Sequence, residues 1–287
     1  MRFLKKNRGC CLLLLCIFLL FFLWGCSSEE RQMNDPQSPH ALQPVIKITA
    51  ADRDVQGSDP VRISLDEQED EVYIRQKGTY LLEGTLKGSI HVDAEEQIVQ
   101  IILQNVTVDS VDGPALYVHS AGKVILTLAE NTVNTFQDAA SYGDNEEADA
   151  CIYSENDLTI NGSGILNVYG YYKDAIHTKD VLKVLGGSVF AQSKRDGLRG
   201  NDGVLLLCME GTVQSERNGI CTTKRGKPGK GNIEILDGTY SVIGGQYAIH
   251  AAQDLYVNDC SVFLYGIVDH FMADGTVYIQ EGCLTNG

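Results

Sequence analysis

The sequence predicts an all-β protein that folds as a parallel β-helix solenoid, and three observations support this fold class. The stretches KDAIHTKD (173–180) and RDGLRGND (195–202) repeat one order of residue types at an interval of 22 residues. Short alternating runs joined at glycine-containing turns, such as LTINGSGILNV, are typical of strand, turn and strand. An apolar ladder extends the interval in steps of 24, 22, 22, 29 and 22 residues, through Ile152, Ile176, Leu198, Ile220, Ile249 and Phe271.

The fixed interval argues against other β folds. One coil of a solenoid cannot bury its own apolar face, so the coils stack, share a core and tolerate insertions in loops. The step of 29 residues contains such an insertion, KRGKPGKG (224–231). A leucine-rich repeat would show a Leu-rich strand with an Asn signature, and a β-sandwich would not keep the interval. The segments before residue 150 fit with looser spacing, and nothing after residue 45 shows helical periodicity.

The first 44 residues predict export and attachment to a membrane. Residues 1–25 combine a basic start with a short apolar run ending in LWGC, which is typical of a lipoprotein signal peptide. Cys26 would then carry two acyl chains and hold the protein on the extracellular face of the bacterial cell membrane. Residues 26–44 have almost no aliphatic residues, as expected for a flexible tether, and residues 45–287 form the β-helix domain. An uncleaved single-span anchor is the alternative.

The charge of the chain restricts its partners. Four of the 23 Lys and Arg lie in the leader, which leaves 19 against 38 Asp and Glu. Nucleic acid and anionic lipid surfaces are therefore not expected as partners, whereas divalent cations can neutralise clustered carboxylates. The five cysteines after Cys26 form no C-x-x-C pair, which argues against a zinc site.

Two columns of acidic and amide residues keep register with the apolar ladder and predict a calcium site. One column stands two residues before the ladder positions and the other four residues after them. Coils stack roughly 4.8 Å apart, so aligned carboxylates repel unless a cation separates them, and Ca²⁺ takes such oxygen ligands. The alternative is that these residues only cap turns. The candidate ligands are Asp174, Asp180, Asp196 and Asp202, with Asn201, Asn218, Asp149, Asn156 and Asp157 beside them.

A basic and aromatic strip beside these acids is the candidate ligand-binding surface. The residue after each ladder position should point outward, and cations next to Ca²⁺ would suit the carboxylates of a polyuronate. Tyrosine rings offer platforms for sugar rings, although the single Trp lies in the leader and is missing as an anchor for crystalline cellulose. Ordinary ion pairing with the aspartates is the alternative. The candidates are Lys173, His177, Arg195, Arg199, Tyr171 and Tyr172.

An ordered set of segments resembles the clostridial carbohydrate-binding domain family over about residues 45–285. These segments include GTYLLEGTLKGSIHVDA, VQIILQNVTV, DLTINGSGILNVYG and KDAIHTKDVLKVLGGSV. The resemblance implies a right-handed, pectate-lyase-like parallel β-helix that binds calcium and acidic or cellulosic plant polysaccharides. It carries the calcium-binding character onto Asp174, Asp180, Asp196 and Asp202. It also favours a non-catalytic binding protein, so no catalytic residue is expected.

Two other functions stay open on the residues alone. A calcium-dependent pectate lyase shares the architecture and needs a basic residue that abstracts a proton, for which Arg199 and Arg195 are the candidates. Against a lyase, the basic positions recur with the repeat instead of standing at one site. The third possibility is a surface adhesin that binds a protein partner, because fold does not fix function.

Overall fold

A computed structural model describes residues 45–68, 70–143, 147–207 and 210–285. The predicted signal peptide (1–25), the tether through residue 44 and the lipidation candidate Cys26 lie outside the described residues. Within them, every strand pairing is parallel, and no helix is long and apolar enough to cross a bilayer. In the described part of the chain, the helical content is one short α-helix, α1 (Ala50–Arg53), and one 3-10 helix (Leu65–Glu67). The predicted parallel β-helix is therefore confirmed.

Each full coil contributes one strand to each of three rows that surround a common interior. The first row is a nine-stranded sheet of β2 (Glu71–Ile74), β4 (Ser89–Asp93), β6 (Leu116–Ser120), β9 (Ala150–Ser154), β12 (Asp174–Thr178), β15 (Leu198–Gly200), β18 (Asn218–Cys221), β21 (Tyr247–Ala251) and β24 (Asp269–Ala273). The second row contains β7 (Lys123–Leu128), β10 (Leu158–Gly162), β13 (Val181–Val184), β16 (Gly203–Leu206), β19 (Asn232–Ile235), β22 (Leu255–Val257) and β25 (Val277–Ile279).

The third row contains β8 (Val133–Gln137), β11 (Ile165–Gly170), β14 (Ser188–Ser193), β17 (Glu210–Ser215), β20 (Gly238–Gly244) and β23 (Cys260–Gly266). Near the N-terminal end, β1 (Val61–Ser64), β3 (Gly78–Leu86) and β5 (Ile98–Asp109) complete a 16-stranded sheet with the second and third rows. Strands β3 and β5 turn the corner between these rows within one strand each. Their register shifts between Glu83 and Gly84, where Gly84 has φ +96° and Asn105 is the extra residue on β5.

The apolar ladder predicted from the sequence is the central column of the first row. Ile152, Ile176, Leu198, Ile220, Ile249 and Phe271 are successive strand partners in register. The column continues toward the N-terminus through Leu116, Ile90 and Val72, a part of the chain in which the spacing is looser. These residues face the interior and pack with inward residues of the other rows into one continuous apolar core. The insertion at 224–231 lies between β18 and β19, as a loop outside the stack.

Residues 45–58 differ from the expectation that the β-helix begins at residue 45, because they form a strap across the outside of the second row. We call them the N-terminal strap. The strap begins beside β19, where Glu234 Oε1 accepts hydrogen bonds from the backbone N–H groups of Val45 and Ile46, both at 3.0 Å. It ends beside β3, where Ser58 N donates to Thr79 Oγ1 at 3.4 Å. The strap therefore runs against the direction in which the coils are added.

A buried ionic cluster fixes the middle of the strap. Helix α1 starts with a capping box, in which Thr49 Oγ1 and the carboxylate of Asp52 each bond the backbone N–H of the other residue. The same carboxylate, fully buried, receives Lys123 Nζ at 2.6 Å, Lys183 Nζ at 3.1 Å and Thr159 Oγ1 at 2.8 Å. Burial opposes ionisation of Asp52, but hydrogen bonds led by that of Lys123 outweigh it and hold the pKa below its ordinary value.

Candidate functional site

The first predicted acidic column is formed, with its side chains buried. Asp174 and Asp196 stand on neighbouring coils, two residues before the aligned Ile176 and Leu198, and neither side chain is exposed. Each carboxylate is also tied to the next coil, because Asp174 Oδ1 accepts the backbone N–H of Asp196 at 2.9 Å. Likewise, Asp196 Oδ1 accepts the backbone N–H of Asn218 at 3.2 Å and its side-chain Nδ2 at 3.0 Å.

Arginines from the following coil neutralise this column. Arg195 reaches Asp174 with Nε to Oδ1 at 2.6 Å and Nη2 to Oδ2 at 2.6 Å. One coil further on, Arg217 makes the same two-point contact with Asp196, with Nε to Oδ1 at 2.7 Å. Planar two-point pairs of this kind are the strong form of the ion pair. Ordinary ion pairing, the alternative to calcium, is therefore present at both aspartates.

The base of the repeated motif contacts the preceding coil, and the acid contacts the following coil. The motif reads KDAI, RDGL and RNGI at 173, 195 and 217, and the base of each coil faces the position that the acid occupies in the preceding coil. Where the preceding coil has Ala150 at that position, Lys173 has no carboxylate there and lies 4.4 Å from the centroid of the Tyr172 ring. The third copy of the motif, RNGI at 217, keeps the base although it has no acid. This copy is the sequence signal that each base pairs with the acid of the preceding coil.

The ion pair with Arg217 sets the protonation of Asp196. Burial by itself raises the pKa of Asp196, but the guanidinium of Arg217 and the Asn218 backbone reverse the effect and leave the pKa below its ordinary value. Asp196 in turn raises the pKa of Arg217, chiefly through the hydrogen bond that Arg217 donates to it. We therefore take both groups as charged at neutral pH.

Asp149, Asp174 and His177 form the one group of three potential metal ligands among the described residues, with ligand atoms within 4.8 Å of one another. The donor set does not fit Ca²⁺. Arg195 Nη2 contacts both carboxylates, and His177 Nδ1 contacts the other oxygen of Asp149. Ca²⁺ requires six to eight oxygen ligands, and here a guanidinium and an imidazole occupy those positions.

The second predicted column contains a mixture of roles. Asn156 and Asp157 bind backbone, since Asn156 Oδ1 accepts from Ala121 N at 2.9 Å and Asp157 Oδ1 accepts from Val181 N at 3.2 Å. These two residues therefore act as turn caps, the alternative to calcium binding. Asp180 is half-buried, and its pKa is raised first by burial and then by the charges of Asp157 and Asp202. The carboxylates of Asp157, Asp180 and Asp202 therefore place an excess of negative charge at this part of the column.

Lysines of the 224–231 insertion partly offset that excess. Lys230 Nζ contacts Asp202 Oδ2, and Lys224 Nζ lies 3.8 Å from Asp202 Oδ1. Oδ1 of Asp202 is buried and has no hydrogen-bond partner among the described residues. An oxygen that accepts no hydrogen bond, beside a half-buried carboxylate, is chemically suited to a hard cation even with Lys224 nearby. Asp180 and Asp202 are therefore the predicted calcium ligands whose surroundings fit an ion.

The predicted ligand-binding strip is largely engaged within the protein. His177 is buried against Asp149, and Arg195 is bound by two carboxylates. Arg199 Nε donates to Asn201 Oδ1 at 3.0 Å, and its Nη1 lies 3.6 Å from Asp174 Oδ2. Tyr172 stacks on Tyr142 with ring centroids 4.3 Å apart, in addition to its contact with Lys173. Tyr171 differs from these, because 43% of it is exposed.

An aromatic and histidine cluster covers the outer surface of the first row, which we call the histidine face. Tyr73 stacks on His91 at 4.8 Å, and His119 stacks on both His91 and Tyr117, at 5.1 and 3.6 Å. Further along, Tyr117 and Tyr153 are buried in an apolar cluster with residues of the connection between β8 and β9. The position after each ladder residue does point outward, as predicted, but here it is covered rather than open.

The outer surface of the third row, which we call the amide face, is open and carries few charges. Its side chains form two columns in register across seven coils, Thr107, Thr135, Asn167, Phe190, Thr212, Ser241 and Phe263, and Asp109, Gln137, Tyr169, Gln192, Gln214, Ile243 and Tyr265. None of these fourteen residues is buried, and Asp109 alone is charged. A further outward column at the edge of the face contains the exposed residues Val133, Ile165 and Glu210. The sequence analysis did not single out this face, although the third-row strands predict it by alternation.

The fold and this surface together define a parallel β-helix protein of polysaccharide lyase-like architecture. A solved structure described as "polysaccharide lyase-like protein from C. thermocellum, Gadolinium derivative" superposes with a TM-score of 0.73 at 28% identity, covering 78% of this chain and 98% of that one. A relative from Acetivibrio thermocellus, described as a carbohydrate-binding domain-containing protein, is 31% identical over 222 residues, which are 75% of this chain and 78% of the relative.

The chain belongs to the carbohydrate-binding domain-containing protein family, whose family model matches residues 68–270. The predicted family is therefore confirmed. Membership and the polysaccharide lyase-like fold together support polysaccharide binding as the function of this chain.

Proposed function

We propose that the protein binds an uncharged, cellulosic polysaccharide without cleaving it, on the outer face of the membrane to which Cys26 anchors it. The observation that carries the proposal is the state of the basic side chains. The two-point pairs with buried aspartates occupy the Nε and Nη2 edge of Arg195 and Arg217, so that edge is not offered to a substrate carboxylate. A polyuronate needs such donors, and the chain is strongly acidic outside its leader.

The same observation argues against a lyase. Proton abstraction needs a base within hydrogen-bond reach of the substrate, with a pKa close to the working pH. The pKa of Arg195 is raised further above its ordinary value by Asp174 and Asp149, despite burial that lowers it, so this guanidinium keeps its protons. Arg199 is 17% exposed in its side chain and donates to Asn201, which leaves little of it for a substrate. Binding without chemistry therefore accounts for the arrangement better.

Calcium would bind at one position, between Asp180 and Asp202. An ion there would offset the neighbouring carboxylate charges and would bind Oδ1 of Asp202, which accepts no hydrogen bond from any described residue. Its contribution would be to hold neighbouring coils together, and we assign it no contact with the polysaccharide. Calcium removal should therefore lower the thermal stability of the protein and leave the affinity for the polysaccharide unchanged.

A pull-down of residues 27–287 tests the function. The protein is mixed with insoluble cellulose and with insoluble polygalacturonate, each with calcium and with excess chelator, and depletion from solution is measured. We expect depletion on cellulose in both conditions. Depletion only on polygalacturonate with calcium would overturn the proposal in favour of a calcium-bridged polyuronate receptor. Release of unsaturated products that absorb in the near ultraviolet, lost in Arg199→Ala, would establish the lyase.

A further inference from the structure

We infer that the amide face is the polysaccharide-binding site and that its ligand is an extended chain of uncharged sugars. This inference rests on the proposed function and adds the surface, the contacting residues and the charge of the ligand.

The amide face differs from the other two outer faces in being open. On the second row the N-terminal strap covers the outward residues, so Thr159, Lys183 and Glu234 are buried. On the histidine face, Tyr117, Tyr153 and His177 are buried at the positions where an open sheet would expose them. On the amide face every one of the fourteen column residues is half-buried or exposed. Among the described residues, this is the face that a long ligand could contact over many coils.

The charge of this face selects the ligand. Charged residues make up about a quarter to a third of an ordinary protein surface, so about four would be expected at fourteen positions. One is found, Asp109, at the N-terminal end, and none of the fourteen is basic. A polyuronate or another anionic chain would lose its hydration here without gaining a cation, which is unfavourable. An uncharged chain avoids that cost.

The groups on the face match the two kinds of surface that a sugar presents. Gln137, Gln192 and Gln214 each offer an amide donor and an amide acceptor, which suits hydroxyl groups that both donate and accept. Gln192 and Gln214 are aligned on adjacent coils and are exposed. Tyr169 lies next to Gln192 in the same column, and its ring can cover the apolar face of a sugar ring.

Tyr171 extends this site at the edge of the face. Its ring stacks with that of Tyr169 at a centroid separation of 6.2 Å, and its hydroxyl reaches Gln137 Oε1 at 3.5 Å. Tyr169 also packs against Phe190, 5.7 Å away. An exposed ring, Tyr171, therefore stands beside a row of amides, which is a contact pattern for a sugar and not for an aliphatic protein surface. Tyr171 is also one of the ligand-binding residues that the sequence predicts.

The dimensions of the face favour a polymer over a small sugar. Seven coils stacked at roughly 4.8 Å give a flat face on the order of 30 Å long. The same amide and hydroxyl chemistry repeats at each coil, so a chain of repeating units can make equivalent contacts along it. Contacts that are weak one by one add up along a single rigid surface, because the orienting cost of binding is incurred once.

A pair of matched double variants tests the inference. Tyr171→Ala with Gln192→Ala removes an exposed ring and an exposed amide from the amide face. Tyr73→Ala with Gln76→Ala removes the same two groups on and just after β2, away from the amide face, where Tyr73 is 46% exposed and Gln76 is exposed. With soluble cellulosic oligosaccharides in a calorimetric titration, we expect the first variant to bind at least about tenfold more weakly and the second to bind as the parent does.

The outcomes separate the site from the function. If the parent protein binds and the amide-face variant binds equally well, the inference is wrong and the proposed function stands. If the parent binds neither cellulose nor its oligosaccharides, the proposed function itself is wrong. A third variant, Gln214→Glu, places a negative charge at the centre of the face without removing volume. It should leave binding of the uncharged ligand measurable but weaker, and equal loss in the variant Gln76→Glu would overturn the inference.

Discussion

Asp52→Asn tests whether the N-terminal strap is held by charge. The substitution keeps the shape of the side chain but leaves Lys123 and Lys183, both largely buried, without a counter-ion. Removing one partner of a buried ion pair typically costs about 3 to 5 kcal/mol. Because about 1.4 kcal/mol corresponds to a factor of ten in an equilibrium constant, the open state of the strap should become at least about a hundredfold more populated.

Trypsin measures this opening directly. Arg53 lies in α1 with its side chain exposed, but its backbone is held while the strap is docked. When opening and closing are fast, the rate of cleavage follows the population of the open state. Cleavage after Arg53, followed by intact mass, should therefore accelerate at least about a hundredfold in the variant, with the remaining coils intact.

Asp59→Asn is the matched control for this experiment. The substitution makes the same chemical change at an exposed position. The backbone of Asp59 has a positive φ of 44°, which Asn adopts readily. Its cleavage rate should equal that of the parent protein. Equal rates for Asp52→Asn and the parent would refute the reasoning, because the strap would then be held by its backbone and apolar contacts and not by the ionic cluster.

Two further predictions concern single side chains. Arg217→Met leaves the buried carboxylate of Asp196 without its guanidinium and should lower the free energy of unfolding by about 2 kcal/mol in a denaturant titration. The control, Arg225→Met, removes an exposed ion pair and should lower the free energy of unfolding by less than about 1 kcal/mol. Burial raises the pKa of Asp138 to about 6, against opposing hydrogen bonds from Tyr142 and the Tyr171 backbone. The folded state therefore binds this proton more tightly, so the stability it contributes is complete below its ordinary value of 3.8 and is lost as the pH rises through about 6. Asp138→Asn should flatten that part of the curve of stability against pH, and an unchanged curve would contradict the assignment.

The repeat explains why so much of the fold was predictable. Ile176, Leu198 and Ile220 recur at one interval because each must meet the same residue of the next coil, and the structure pairs them in that register. Register also placed Asp174 over Asp196 correctly. A periodic sequence predicts the register of the strands because every coil repeats the same contacts. A misalignment predicted at one coil would disagree with the alignment of the neighbouring coils.

The sequence left ion pairing of the aspartates open as an alternative to calcium, and it did not predict the contacts of the strap. The ion pairs of Asp174 and Asp196 depend on whether a base or a metal neutralises them, and stacking alone allows both solutions. The strap has no repeat at all. Its burial of Asp52 depends on Lys123 and Lys183, which are 71 and 131 residues away in the chain. Neither lysine contact of Asp52 leaves a local pattern in the sequence, because each joins two segments whose separation along the chain is arbitrary.

The strap also changes how the solenoid should unfold. In a solenoid each coil touches only its neighbours, so coils can melt from an end one after another. The strap adds contacts that bypass this order, from Thr79 on β3 to Glu234 on β19. The coils between those two strands therefore share one set of bonds and should melt as a single cooperative unit. The coils from β20 onward lie outside it, so hydrogen exchange should show them opening first, as a separate step at lower denaturant.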